Sequence, residues 1–262
     1  MKYRLMFTLV FVLGSGLTTT CLAQTETLDA LTRSSHIIFV GRVMKLRAAN
    51  VETLSAGQDM AIVRVEEVLD APAGIAALKG LEVTVQLLRP EGVKAEQQAV
   101  FFTNGVLFGQ HLAVKEVGEL AAPADRAPLK AQIAAVRARM ADEALQARIT
   151  NSVLVIVGKV LSVKEPERIG GISEHQPDWA VAVVQIEGIE KGSFDGKTVN
   201  VYFPQSTDER WLLSPKFRVG EQGVWLLHRE GNYGLPEGAL TALTPLDFQP
   251  MAERDKVRRL AK

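Results

Sequence analysis

The sequence predicts a mainly β chain with accessory helices, folded as two tandem five-stranded barrels joined by an amphipathic helix. Two small β-sandwiches are the competing arrangement. Three observations carry this reading. Ser35-His36-Ile37-Ile38-Phe39-Val40-Gly41-Arg42-Val43 returns 117 residues later as Ser152-Val153-Leu154-Val155-Ile156-Val157-Gly158-Lys159-Val160. Each copy is followed by short runs in which apolar and polar residues alternate, the period of half-buried strands. Between the copies, apolar residues recur at spacings of three and four, the period of a helix.

The chain opens with the three parts of a secretory leader. Lys2 and Arg4 form a basic start, Met6 to Leu13 an apolar run, and Cys21-Leu22-Ala23 ends in the small residues a signal peptidase accepts. Cleavage is expected between Ala23 and Gln24, which makes 1–23 the leader and the protein exported, periplasmic or extracellular. Gly14-Ser15-Gly16 and Thr18-Thr19-Thr20 interrupt the apolar run well short of the ~20 residues of a membrane span. No later segment is long enough, so no integral membrane segment is expected in the mature chain. Acylation of Cys21 is disfavoured, because three threonines replace the aliphatic and small residues usual before a lipoprotein cysteine.

Cys21 is the one cysteine in the chain, so the mature protein is expected to have no disulfide, catalytic thiol or thiolate metal site. Two domains of about 100 residues can bury enough surface to fold without such staples. Loss of Lys2 and Arg4 leaves 28 basic and 30 acidic side chains. That balance draws the protein neither to nucleic acid nor to an anionic membrane.

The first repeat is expected over 24–121 and the second over 142–248. Each opens with a helical lead-in, Glu26-Thr27-Leu28-Asp29-Ala30 and Glu143-Ala144-Leu145-Gln146-Ala147. The first strand, Ile37 to Val43 or Leu154 to Val160, is apolar on both faces, as a strand buried within a barrel or beneath a helix must be. Gly41 and Gly158 inside it read as a bulge or sharp coil of a small closed barrel. Long polar loops follow, Arg47 to Asp59 and Lys164 to Asp178. Second strands begin at Ala61 and Ala182. The turns Lys79-Gly80 and Asp195-Gly196 lead into third strands, Leu81 to Val85 and Thr198 to Val201. Fourth strands cover Gln98 to Phe102 and Gln222 to Leu226, and Leu112 to Val114 and Leu240 to Leu243 close each barrel as fifth strands.

Leu129, Ile133, Val136 and Met140 form one apolar stripe of a linker helix over 122–141, with Asp125 placed to cap it and Pro128 suited to its first turn. A C-terminal helix is expected over 249–262.

Within barrels of the OB type, the order of features resembles the netrin-like module, also seen in tissue inhibitors of metalloproteinases. The residues that carry the resemblance are Ile38-Phe39-Val40-Gly41-Arg42-Val43, Val63-Arg64-Val65-Glu66-Glu67-Val68-Leu69 with the Lys79-Gly80 turn, and Gly220-Glu221-Gln222-Gly223-Val224-Trp225-Leu226-Leu227. Inhibitors of that family act through an N-terminal cysteine and are held by disulfides. A mature chain without cysteine inherits neither property, so the resemblance implies fold and not function.

No catalytic, cofactor-binding or metal site is assigned. The four histidines, His36, His111, His175 and His228, are far apart in sequence and none makes the short-range pair a metal site favours. No serine sits in a glycine elbow; Ser193 in Gly192-Ser193-Phe194 has one flanking glycine. Gly170-Gly171 lacks the strand-glycine-helix order of a phosphate cradle, and adjacent Asp208-Glu209 read as a solvated face. A 6% aromatic, near-neutral chain does not offer the basic stacking groove nucleic acid requires.

What remains is the second copy's own equipment. His175 lies in a polar loop with Arg168, and Trp179 stands at the mouth of the second strand. Trp211, in the Pro204 to Gly220 loop, either plugs the barrel end or is presented to a partner. If Trp179 and Trp211 meet, they form a partner-binding patch beside Arg168 and His175. The expectation is therefore a non-catalytic binding or interaction module of the cell envelope, recognising an unknown protein or envelope component. An enzyme or enzyme subunit with a site at the junction of the barrels is the alternative, and the oligomeric state stays open.

Overall fold

The computed structural model describes residues 27–109, 111–168, 177–229 and 233–261. The leader, its cleavage point at Ala23 and Gln24, and His175 lie outside the described residues. The chain divides into two units between Arg126 and Ala127.

The first unit begins with helix α1 (Leu28–Ser34), where the Thr27 hydroxyl accepts the Ala30 amide at 3.2 Å and caps an exposed N–H. Five strands follow: β1 (Ile37–Leu46), β2 (Met60–Asp70), β3 (Glu82–Gln86), β4 (Gln98–Leu107) and β5 (Ala113–Ala121). They close into a barrel in the order β1-β2-β3-β5-β4, with β3 and β5 parallel and the other neighbours antiparallel. This is the connectivity of an OB-type barrel and rules out the sandwich for this unit. Phe39 and Phe101 stack at 5.5 Å in the interior among Val43, Val63, Val85 and Val114. His36 is a strand-end clasp, its Nδ1 lying 2.7 Å from Asn104 Oδ1.

The second unit repeats the plan with a break. Helix α2 (Ala127–Asn151) precedes β6 (Leu154–Arg168), β7 (Asp178–Lys191), β8 (Thr198–Pro204), β9 (Gln222–Leu227), β10 (Leu240–Thr241) and β11 (Phe248–Pro250), and helix α3 (Arg254–Leu260) ends it. The described strands form one curled sheet in the order β10-β8-β7-β6-β9-β11. β10 runs parallel to β8 as β5 does to β3, and β11 runs antiparallel to β9 as β5 does to β4. Together β10 and β11 are the fifth strand, split by a 3-10 turn at Pro245–Asp247. A bridge between His228 and Thr241 joins the two edges.

Three expected boundaries shift. The linker helix expected over 122–141 and the second lead-in are one helix, because the apolar stripe of Ile133 and Val136 continues through Leu145 and Ile149, all buried. The C-terminal helix starts at Arg254 rather than 249, since Phe248–Pro250 is taken up in pairing with β9. The polar loop expected from Lys164 to Asp178 is shorter, because Lys164, Glu167 and Arg168 pair with Val181, Trp179 and Asp178 and lengthen the β6–β7 hairpin. A register shift between Lys164 and Glu167 leaves Pro166, which has no N–H to donate, out of the ladder.

The glycines of the first strands serve the coil. The register shifts between Val40 and Gly41 and again between Val157 and Gly158. A Cβ on Gly158 would stand 2.2 Å from the Gln185 carbonyl oxygen, and one on Gly41 would stand 2.4 Å from a Val63 methyl.

The outer face of β6 and β9 is covered by helices. Leu145 and Ile149 of α2 and Val257 of α3 pack on Val155, Val157, Val224 and Leu226. Polar bolts fix both helices. Lys191 donates to the Ile149, Thr150 and Ser152 carbonyls at 2.6 to 2.7 Å and caps the end of α2. Glu190 accepts from Arg254 and Arg258 of α3. Arg148 grips Asp247, its Nη2 at 2.8 Å, and the same carboxylate accepts the Leu243 and Thr244 amides at 2.6 and 2.9 Å. His228 Nε2 lies 3.3 Å from it. Asp247 is fully buried. Burial alone would raise its pKa, but the Arg148 guanidinium, His228 and the two amides outweigh it and hold the carboxyl well below its ordinary 3.8.

Two stability experiments follow from these contacts. Gly158→Ala should cost about 1–3 kcal/mol in urea unfolding, and more than Gly41→Ala, because its clash is with backbone rather than a side chain that can shift. Asp247→Asn should cost about 3–5 kcal/mol near neutral pH by removing the buried carboxylate charge that faces the Arg148 guanidinium. The folded pKa lies below the unfolded one, so Asp247's contribution is complete above about pH 4 and fades as pH falls through the folded value. The gap in urea midpoint between variant and parent should therefore narrow as pH falls from 6 to 3, without closing.

Candidate functional site

The distal end of the second barrel carries the features the sequence singles out. Trp179 is the second residue of β7, and its backbone faces Glu167 of β6 on one side and Pro204 of β8 on the other. Trp211 closes a 3-10 turn, Glu209–Trp211, that Asp208 caps by accepting the Arg210 amide. The two indoles meet with centroids 6.2 Å apart. Tyr233, from the loop between β9 and β10, completes the cluster at 5.5 Å from Trp179 and 5.8 Å from Trp211. The Arg210 guanidinium lies 5.0 Å from the Trp211 ring centre, a cation–π contact.

Burial decides what this cluster does. Trp179 is wholly buried and Trp211 is 4% exposed, so neither ring is presented as an open patch. The apolar surface belongs to the next two residues, for Leu212 and Leu213 are 61% and 75% exposed. Arg168 ends β6 with its backbone opposite Asp178, one pair beyond Trp179.

The loop that displays the two leucines is held from inside. Lys216 Nζ donates to the carbonyls of Pro204 and Trp211, at 2.5 and 2.9 Å, and to Ser214 Oγ at 2.7 Å. Ser214 Oγ donates to the Trp211 carbonyl at 2.6 Å. Burial depresses the Lys216 pKa, yet three oxygen acceptors remain around its ammonium. Phe217 then enters the core against Phe203, Trp225 and Phe248 at 5.0 to 6.0 Å. Leu212 and Leu213 therefore sit between two aromatic anchors, on backbone fixed by an internal ammonium.

Tyr233 and Lys216 escape the sequence reading. Tyr233 is flanked by glycines at 231 and 234, the signature of a loop, with no local sign that its ring turns back. Lys216 looks like any surface lysine until its acceptors are seen. The His228–Asp247 pair has the composition of a general-base couple, but both side chains are buried and the carboxylate is occupied by Arg148. Among the described residues, no group of three or more His, Cys, Asp or Glu is arranged to hold a metal ion. No described helix is long and apolar enough to cross a membrane.

Fold and site together define a protein of two barrel-like units, one a closed five-stranded barrel and one a curled sheet that carries a buried aromatic cluster. No known family model matches the chain, and no curated protein matches it. Among solved structures, one described as "Structural mimicry for functional antagonism" is similar at a TM-score of 0.21 and 12% identity, over 79% of this chain and 89% of that one. A superposition that loose carries no argument about ligand or partner.

Replacing Trp211 with alanine should empty the middle of the Trp179–Trp211–Tyr233 cluster and cost about 3–5 kcal/mol. Thermal unfolding checks this: a midpoint within a degree or two of the parent would mean that the ring is not part of the packed barrel end.

Proposed function

We propose that this chain is an exported, non-catalytic binding module of the cell envelope that engages a protein partner through Leu212 and Leu213. The leader-like start supports export. One observation carries the binding reading: two adjacent leucines stand mostly exposed on a loop anchored on both sides and internally hydrogen-bonded. Exposed leucines are ordinary when scattered, but these occupy a braced position, where a binding surface loses little conformational freedom on association. The order of features keeps the netrin-like likeness as part of the reading at the level of fold, without the cysteine-based inhibition of that family.

The test is a double substitution, Leu212→Asp with Leu213→Asp, in the full-length protein. Both residues are exposed, so the unfolding free energy should stay within about 0.5 kcal/mol of the parent. A defined envelope protein recovered by mild crosslinking with the parent should be lost with the variant, while a Met251→Asp control retains it. Equal recovery with parent and double variant would sink the reading.

A further inference from the structure

The inner face of β5 carries two carboxylates. Glu119 faces Phe101 across the β4–β5 ladder and Glu116 faces Thr103, and Phe101 is a core ring of the barrel. Residues three apart on a regular strand point to opposite faces. A register shift between Phe102 and Thr103 places one extra residue on β5 and brings both glutamates to the inner side. The fold itself does not require an acid there. Trp225 is the fourth residue of β9 as Phe101 is of β4, and its partner on the fifth strand is Phe248, a ring packed against it at 5.0 Å.

Glu116 stands in for a missing strand contact. β3 ends at Gln86, opposite Lys115, while β5 runs on to Ala121. Just past that pair the Glu116 carboxylate accepts the Leu88 amide at 3.1 Å and so ties down the β3–β4 loop. Glu116 is 4% exposed. Glu119 is half-buried, and one of its oxygens is buried with no hydrogen-bond partner among the described residues. An ionised carboxylate without a donor is costly in such a place, and a neutral acid costs far less.

The surrounding charges do not neutralise the pair. Arg89, in the β3–β4 loop, is the cation that acts on Glu116, and the Glu119 charge opposes it. Burial raises the pKa of both glutamates, and for Glu119 it acts alone. Charged groups of the neighbouring elements are engaged elsewhere: Asp29 with Arg33 in α1, Arg42 with Glu66, and Asp59 with the Gln86 side-chain amide. Lys115 is exposed on the opposite face of β5.

We propose that Glu116 and Glu119 form a proton-operated latch on the β3–β4 loop of the first barrel. With Glu119 neutral, Glu116 keeps its hold on the Leu88 amide. With both ionised, their repulsion loosens that corner of the barrel. The folded state binds the proton more tightly than the unfolded chain, so the latch's contribution to stability is complete below about pH 4 and fades as pH rises through the folded value. The sense is opposite to that of Asp247 in the second unit, whose contribution fades as pH falls. The latch does not depend on Leu212 and Leu213.

The experiment follows side-chain carboxyl and backbone amide NMR signals of the full-length protein from about pH 4 to 8, with the Leu226 amide of the second unit as internal reference. Glu119 should titrate with a midpoint above about 5, clear of the ordinary glutamate value, and the Leu88 amide should move with it. Leu88 protection against hydrogen exchange, corrected for the pH dependence of intrinsic exchange, should fall about tenfold for each pH unit by which that midpoint exceeds the ordinary one. Glu119→Gln keeps the shape without the charge and should hold Leu88 at its acid-form protection throughout. Glu116→Gln keeps an acceptor for Leu88 and should lower the Glu119 midpoint by removing the repelling charge. A Glu119 midpoint at or below the ordinary value, one untouched by Glu116→Gln, a Leu88 amide that does not titrate in the parent, or equal pH dependence in Glu119→Gln and parent would each overturn the latch.

Discussion

The constraint on which each barrel depends is a first strand that is dry on both faces and paired along both edges. Ile37, Ile38, Phe39 and Val40 are at most 1% exposed, and Leu154 to Val157 at most 3%. Such a strand needs a neighbour on each side and a layer above and below. β1 has β2 and β4 as neighbours, and β6 has β7 and β9. One face supplies the barrel interior. The other, in the second unit, requires the cover that α2 and α3 provide. A strand with two neighbours in a five-stranded barrel must also coil sharply, and the bulge at Gly41 or Gly158 supplies the turn without a Cβ in the way. Helix placement, closure and the apolar character that this segment keeps in both units all follow from burying it.

What was legible in the sequence was whatever this constraint writes locally. A doubly buried strand is a run of branched apolar residues with one glycine, so its two copies are conspicuous, and the half-buried strands beside it alternate. The stripe of α2 was visible as far as Met140; its continuation was read as a separate lead-in because nothing local marks the helix as unbroken. The split fifth strand was not legible at all. It depends on Asp247 meeting Arg148 and His228, and the first of those contacts spans 99 residues. The site was half legible. The meeting of Trp179 and Trp211, on which the sequence reading makes a patch conditional, occurs because β7 and the loop after β8 come together at one end. Their burial depends on Tyr233 and on the loop that Lys216 and Phe217 anchor, none of which carries a local pattern. His175, placed beside them in the sequence reading, falls outside the described residues.

The two units differ in how they hold their loops. The second buries Trp179, Trp211 and Tyr233 against one another and leaves Leu212 and Leu213 exposed. The first clamps its β1–β2 loop to β3 through Asn50. Stability does not explain the exposed leucines. Burying Leu212 or Leu213 would favour folding by about 1.5–3 kcal/mol each, and a mobile loop would let such side chains collapse onto the surface. Around Leu212 and Leu213 the backbone is held in the exposing conformation by a partly buried ammonium and a buried indole. Apolar groups kept in water by rigid supports lower the ordering cost of an association to come, which is why recognition is the reading this loop supports.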